Sequence, residues 1–416
     1  MNLQEARHES ERCLQCNDAP CTLACPAHID VPKFIARLRS GNLRGAAEVV
    51  KMSNAMANTC GKVCPQEVFC QSVCTRADLD APIAIRELHF VATQHEATAG
   101  FSSPVLQPGR NQRVAVVGAG PAGLSCAFEL SKLGFHVDVY DERRPGGVPG
   151  NSIPAFRLEA RELHSDVKFL RRYFRIRTLR VDETVLERIR ENHDAVFLAT
   201  GLGRDRRLNI PGENLKGVFT VLEFLERARA KPGSVKVGKN VVVVGGGNVS
   251  LDAAATARRL GAQRVVLIYR RGEREMRVWK SELEEARAQG VEIRFLSIPV
   301  AILGRSKVRG IRCRRTKLSG RKDSTGRFVP VEVRGSDFVL EADSVVAAIG
   351  QRVGAPWADK FKRTAEGYLK TNKNLQTSVA GVFAGGDVIS GEGTIVQAVA
   401  HGKQAAHAIH RYLQDN

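Results

Sequence analysis

Aromatic residues make up only 6% of the 416 positions, and two are tryptophans. That is too few to suggest the stacking platforms on which single-stranded nucleic acid is held. No apolar run is long enough to cross a bilayer, and the opening MNLQEARHESER has no apolar stretch of the kind a secretory leader needs. A cytoplasmic, reducing setting is therefore expected. Acids are short, 44 against 63 lysines and arginines, which leaves a formal charge of +19. The cations are scattered in short runs near 204–207 and 312–315 and do not form one stripe. Binding to nucleic acid or to a membrane is not expected. Beyond residue 74 only Cys126 and Cys313 remain, with no C-x2-C between them. This excludes a thiol–disulfide redox centre there, and both read as small buried hydrophobes. No Ser/His/Asp or metal-hydrolase arrangement is present, and histidines such as His136 and His193 read as surface or packing residues.

Cysteine is instead concentrated at the start. Cys13, Cys16, Cys21 and Cys25 precede Pro26, and Cys60, Cys64, Cys70 and Cys74 follow, with Pro65 after Cys64. In a chain without a leader such quartets read as metal ligands and not as a disulfide framework. The C-x2-C-x4-C-x3-C-P run resembles the bacterial ferredoxin pattern, in which three thiolates hold one iron–sulfur cluster and the fourth reaches another. Two glycine-rich nucleotide turns lie further on. Clusters move single electrons and nicotinamides move pairs, so a flavin is expected between them.

The fold expected is multidomain. An α-helical, double-cluster domain at 1–105 precedes two α/β Rossmann-like domains. One binds FAD, built from 106–205 and 352–416, and one binds NAD(P)H, at 206–351. Val31–Arg39 and 43–52 have helical apolar spacing around a Gly41-Asn42 turn, and 100–112 reads as a linker. From Arg113 to the end, apolar strands alternate with helices, the texture of a mostly parallel sheet.

In the first turn the strand Arg113–Val117 runs into Gly118-Ala119-Gly120-Pro121-Ala122-Gly123 and a helix at 124–133. Gly118 permits the tight turn, Gly120 lets backbone approach a pyrophosphate, and Gly123 lets helix and strand close. Asp141 ends the next strand, where an acid suits a ribose hydroxyl pair. In the second turn, 240–244 leads into Gly245-Gly246-Gly247-Asn248-Val249-Ser250. Its next strand, 264–269, ends in Arg270 and Arg271 where the first had an acid. Guanidinium can bind a 2′-phosphate that a carboxylate would repel, so NADPH is favoured here, with NADH left open. Ser250 stands where a third glycine is usual.

The segments CLQCNDAPCTLACPAHIDVPKFI, CGKVCPQEVFCQSVC, VAVVGAGPAGL, NSIPAFRL, IPGENLKGVFT, YRRGEREM and GVFAGGDV resemble, across the whole chain, the flavin and iron–sulfur arm shared by dihydropyrimidine dehydrogenases, glutamate synthase small subunits and bifurcating NADPH–ferredoxin enzymes. The long gap between Cys64 and Cys70 is most similar to the pyrimidine enzymes. The resemblance implies FAD at the first turn, with Gly147, Arg157, Thr200, Gly201, Gly386 and Asp387 among its contacts and a helix starting near Thr394 aimed at the ring. Gly245, Gly247, Asn248, Val249 and Gly350 join the cofactor-binding set. It implies one [4Fe–4S] cluster on Cys13, Cys16, Cys21 and Cys74 and a second on Cys25, Cys64 and Cys70. The fourth ligand of the second lies seven residues after a proline, which here is His89, with Cys60 and Glu87 as rivals. NADPH would reduce the flavin and single electrons would leave through the clusters. A catalytic partner subunit carrying FMN and further clusters is implied, reducing uracil or thymine, or else the partner of a glutamate synthase or bifurcating enzyme. One departure from the family pattern is Arg277, which follows Met276 where proline is usual.

Overall fold

The computed structural model describes residues 1–94, 104, 106–231 and 233–415, so most of the expected 100–112 linker's first half lies outside the described residues. The chain divides into two compact units. The first comprises Met1–Gly150, Ala155–Gly203 and Val353–Asn416, and the second Asn151–Pro154 and Arg204–Arg352.

The first unit begins with helices α1 (Leu3–Glu11), α2 (Pro20–Ala24), α3 (Val31–Arg39), α4 (Leu43–Ser53), α5 (Ala57–Val63) and α6 (Ile85–Gln94). Helix α3 starts where the Asp30 side chain accepts the Lys33 N–H at 3.1 Å, and it buries Val31, Phe34, Ile35 and Leu38 along one stripe. Gly41, at φ +78°, turns the chain. Asn42 then caps α4 by accepting the Gly45 N–H at 2.8 Å.

These helices share a core with an α/β layer. Strands β1 (Arg113–Val117), β2 (His136–Asp141), β3 (Arg175–Thr178), β4 (Ala195–Leu198) and a late strand, Val382–Ala384, form a parallel sheet with the late strand beside β4 and β1 and β2 central. Strands β1 and β4 are almost wholly apolar and buried, as a sheet covered on both faces requires. Between β1 and β2 runs α7 (Pro121–Lys132), and α8 (Ala160–Leu170) precedes β3. The last helix, Ile395–Asp415, packs along α7. The two close tightly because Gly402 has no side chain, since a Cβ there would collide with the Ala122 carbonyl.

The second unit has its own five-stranded parallel sheet. Its strands are β5 (Val218–Thr220), β6 (Asn240–Gly245), β7 (Arg264–Ile268), β8 (Val291–Arg294) and Ser344–Ala348, with Ser344–Ala348 between β5 and β6. The alternation of strand and helix expected to the C-terminus is interrupted here. Strands β9 (Ser297–Gly304), β10 (Val308–Lys322) and β11 (Phe328–Glu341) form an antiparallel sheet. Strand β10 mixes buried and exposed positions and β11 is exposed or half-exposed along nearly all its length, so neither reads as a buried parallel run. No helix among the described residues is long and apolar enough to cross a membrane.

Candidate cofactor and cluster sites

At the first turn Gly118 has φ +110°, and a Cβ on it would collide with the Ala199 carbonyl. Gly123 lies equally tight on the Gly118 carbonyl. Gly120, by contrast, meets nothing nearer than Gly147 Cα, 3.8 Å from where its Cβ would be, so its face is open to a ligand. Gly147 (φ +59°) would in turn press a Cβ to 2.9 Å from Gly120 Cα, and Gly146 donates its N–H to Ala119 at 2.8 Å. Gly386 (φ +75°) sits against the Ala122 methyl. Pro121 opens α7 in its first turn, where no N–H is missed. Thr200, directly behind Ala199, adjoins Gly118, and Gly201 (φ +66°) has open space around it. Predicted residues scattered from 118 to 386 thus form one glycine-lined cradle. Arg157 lies half-buried in the segment leading to α8.

Two carboxylates flank this cradle. Asp141 accepts the Ala119 N–H at 2.7 Å and the Arg143 N–H at 2.8 Å, and burial raises its pKa. Asp387 is recessed, and burial, with Glu392 nearby, pushes its pKa up to about 7 against one opposing N–H from Gly393. A carboxylate so short of donors suits a hydroxyl-bearing ligand, and the cradle fits a dinucleotide. Thr394 and Gln397 cap the last helix reciprocally: Thr394 Oγ1 donates to Gln397 Oε1 at 2.8 Å and accepts the Gln397 N–H at 3.3 Å. His401, which the sequence did not single out, accepts the Gly386 N–H through Nδ1 at 3.1 Å.

The second turn repeats the first. A Cβ on Gly245 would strike the Ala348 carbonyl, Gly246 is covered by the Tyr269 ring, and Gly247 faces open space. Gly350 has φ +100° in the loop after Ser344–Ala348. Ser250, fully buried, donates its hydroxyl to the Gly247 carbonyl, so it fits where glycine was expected. Asn248 opens the next helix, followed by Val249, and its side chain accepts the Trp279 N–H at 3.0 Å.

The arginine pair is divided. Arg270 is exposed, but the side chain of Arg271 is only 3% exposed and pairs with Asp323 at 2.6 Å. It also donates through Nε to the Phe328 carbonyl at 2.9 Å. The expectation that Arg271 meets a 2′-phosphate runs against this arrangement, in which its charge is already paired with Asp323 under the β10–β11 hairpin. Cys126 and Cys313 are buried as expected, with thiol pKa values raised by that burial. His136 is exposed and His193 packs edge-on against Tyr140.

The N-terminal thiols fall into two neighbourhoods. Burial, followed by the charge of other thiols, raises the pKa of Cys13 (beside Cys74 and Cys16) and pushes that of Cys21 (beside Cys13 and Cys74) up to about 12. Burial likewise raises Cys64, which feels Cys60 and Cys25, and Cys70, which feels Cys64 and Cys25 and, across the two neighbourhoods, Cys21. Cys16 Sγ lies 3.2 Å from Thr75 Oγ1, and the Ile83 N–H points at Cys74 Sγ at 3.5 Å. Among the described residues no three His, Cys, Asp or Glu side chains converge as a single ion would need. Thiolates around a four-iron cluster stand apart at its corners, and two neighbouring groups of half-buried to buried thiols fit that requirement. Of the contenders for the last corner, Glu87 is bound to Arg86 and Gln66 at 2.7 and 2.8 Å. Cys60 is buried beside Cys25. His89 is buried on α6 against Gly61 of α5. Its Nε2 has no partner among the described residues, so the bond it makes to the Ala57 carbonyl leaves from Nδ1.

Two side chains not legible as functional tie this thiol region to the sheet. Asp166, buried on α8, accepts the N–H groups of Asn58 and Thr59 at 2.9 Å each, capping α5 from outside. Lys403, from the last helix, donates to the carbonyls of Ala27 and Ser53 at 2.7 and 3.0 Å.

Two family models match the chain: pyridine nucleotide-disulphide oxidoreductase over residues 112–402, and dihydropyrimidine dehydrogenase domain II, 4Fe-4S cluster, over 1–100. The dihydropyrimidine dehydrogenase subunit PreT of Escherichia coli K12, described as NAD-dependent, is 35% identical over 98% of this chain and 94% of its own length. The beta subunit of the NADP(+)-dependent formate dehydrogenase of Moorella thermoacetica is also 35% identical, over 95% of this chain but only 60% of that protein. The NADPH glutamate synthase small chain of E. coli K12 is 32% identical over 99% and 92%. Among solved structures, FprA of Mycobacterium tuberculosis bound to NADPH shares the fold, with a TM-score of 0.64 at 22% identity over 74% of this chain and 85% of that one. The thioredoxin reductase of T. acidophilum shares it at 0.55 and 22%, over 73% and 99%.

Proposed function

The chain belongs to the pyridine nucleotide-disulphide oxidoreductases and carries at its N-terminus the 4Fe-4S domain of dihydropyrimidine dehydrogenases, and from that premise we propose that it is the electron-input subunit of a cytoplasmic complex. It oxidises NADPH and delivers single electrons to a catalytic partner subunit that bears FMN and further clusters. FAD, when bound, supplies the conversion between hydride pairs and single electrons. Gly118 and Gly123 close the turn and Gly120 brings backbone up to its pyrophosphate, Asp141 holds its ribose, and Asp387 accepts a hydroxyl of its chain. The residues at 206–351 bind the nicotinamide nucleotide on Gly245, Gly247 and the helix that follows. No side chain need act as acid or base, because hydride transfer asks for alignment and exclusion of water.

Cys13, Cys16, Cys21 and Cys74 hold one [4Fe–4S] cluster, and Cys25, Cys64, Cys70 and His89 the other. The free Nε2 of His89, with Nδ1 committed to a backbone carbonyl, is how a ligating imidazole is oriented. One observation carries the reading: both thiol groups and the first glycine cradle belong to one compact unit, pinned together by Asp166 and Lys403. The PreT relatives favour a pyrimidine as the partner's substrate, and the glutamate synthase small chains supply the second reading. Anaerobic protein reconstituted with iron, sulfide and FAD should bleach on addition of NADPH and reduce an artificial dye; an unreduced dye refutes the proposal. With the co-purified partner, uracil reduction, as opposed to consumption of glutamine and 2-oxoglutarate, identifies the complex.

A further inference from the structure

Three arginines stand on the turns around the end of β7, where the buried Arg271 ties the β10–β11 hairpin to the strand. Arg270 leaves the strand itself. Arg277 is held to the glycine turn, its N–H donated to the Gly246 carbonyl at 3.2 Å and its backbone bridged to Gly247. Tyr269 fixes that approach by covering Gly246 and donating its hydroxyl to the Glu275 carbonyl at 2.8 Å. The third, Arg327, closes the turn between β10 and β11, where Asp323 accepts the N–H groups of Thr325 and Arg327 at 2.9 and 3.2 Å. None of the three forms an ion pair among the described residues.

Asp323, at the hairpin turn, is already committed. One oxygen of Asp323 serves its own turn, and the other meets the buried Arg271 at 2.6 Å. Partial desolvation lowers the pKa of Arg270 and of Arg327, and neighbouring arginines lower both further, against Tyr269 and Asp323: Arg271 and Arg327 act on the first, Arg277 and Arg271 on the second. Arginines on a merely solvated turn would splay apart to relieve that repulsion. Here the turns that carry them are fixed by hydrogen bonds, and Arg327 Nε donates to Thr325 Oγ1 at 2.9 Å, at the place where a Rossmann strand addresses the ribose 2′ position.

We propose that Arg327 joins Arg270 and Arg277 in a site for the 2′-phosphate of NADPH, so that the antiparallel hairpin is a determinant of nucleotide choice. The Arg271–Asp323 pair is then the clasp that holds the hairpin turn over the strand end. This rests on the reading of Gly245–Asn248 as the nicotinamide nucleotide turn. Three charge-assisted contacts would account for a strong preference over NADH, which lacks the group.

Calorimetry on the full holoprotein with NADP+ and NAD+ tests it. Arg327→Ala, and Arg327→Gln, which keeps the stem, should weaken NADP+ by roughly tenfold or more and leave NAD+ within about twofold. The gap should narrow as salt is raised. Equal losses for both nucleotides would make Arg327 a purely structural residue, and an unchanged NADP+ affinity would remove it from the site; either overturns the proposal. If the unmutated protein bound neither nucleotide, the reading of the glycine turn would fail first and the proposal with it.

Discussion

Asp387 lies where a carboxylate is least comfortable, recessed beside Glu392 with a single backbone donor, and its pKa is pushed up to about 7 from the ordinary 3.8. Without flavin the folded chain therefore binds a proton there that the unfolded chain has released. Stability falls as pH rises through that window and levels off above it. Asp387→Asn removes the dependence. In urea denaturation of flavin-free protein its stability relative to wild type should rise by about 1.4 kcal/mol per pH unit between pH 4 and 7 and then stay flat. A gap that does not move with pH would mean that the carboxylate is well solvated. At His89 the expectation concerns metal. His89→Ala should roughly halve the iron content of the reconstituted protein, leaving one cluster intact. If Cys60→Ala does this and His89→Ala does not, Cys60 is the fourth ligand. The histidine was legible by its spacing from Pro82, but its orphaned Nε2 was not, because that depends on Ala57 and Gly61 of a different helix.

At the scale of elements, the parts set by neighbours in the chain were the legible ones. Helix α3 and strand β1 have the bounds their patterns predict, because caps, turns and apolar spacing are local. The antiparallel sheet at 297–341 was missed. Its half-buried strands differ from a helix-linked pattern only in how they pair, and pairing is a long-range choice. The joints between elements were likewise hidden. Helix α5 has no side-chain cap of its own and takes one from Asp166 on α8, an acid buried with its hydrogen bonds satisfied. Asp166→Ala leaves those N–H groups buried and unpaired, and should cost about 3 kcal/mol in thermal or urea unfolding. Lys403 joins the last helix to the loop behind Cys25, placing a cation near that thiol. Lys403→Met should lower the midpoint potential of one cluster in a redox titration monitored by paramagnetic resonance, since a nearby positive charge stabilises the more negative reduced form. An unchanged potential would confine Lys403 to a packing role.

At the scale of the whole molecule, the division of the chain predicts a division of labour. Chelating iron under reducing conditions should leave NADPH able to bleach the flavin while uptake falls from about four electrons per chain to about two. If the flavin also ceased to respond, the clusters would be part of the fold that holds it. The cysteine quartets, the two glycine turns and the change of ending from Asp141 to Arg270 were determined by sequence alone, since each depends on residues close together in the chain. Tertiary structure decided which charges remained available. It took Arg271 out of solvent and matched it to Asp323, carried Arg327 on the hairpin turn that this pair holds, and set Asp166 and Lys403 between the thiol helices and the sheet. A side chain's charge is written in the sequence, but whether a ligand can use it depends on which other charge reaches it first, and only the folded chain brings those partners together.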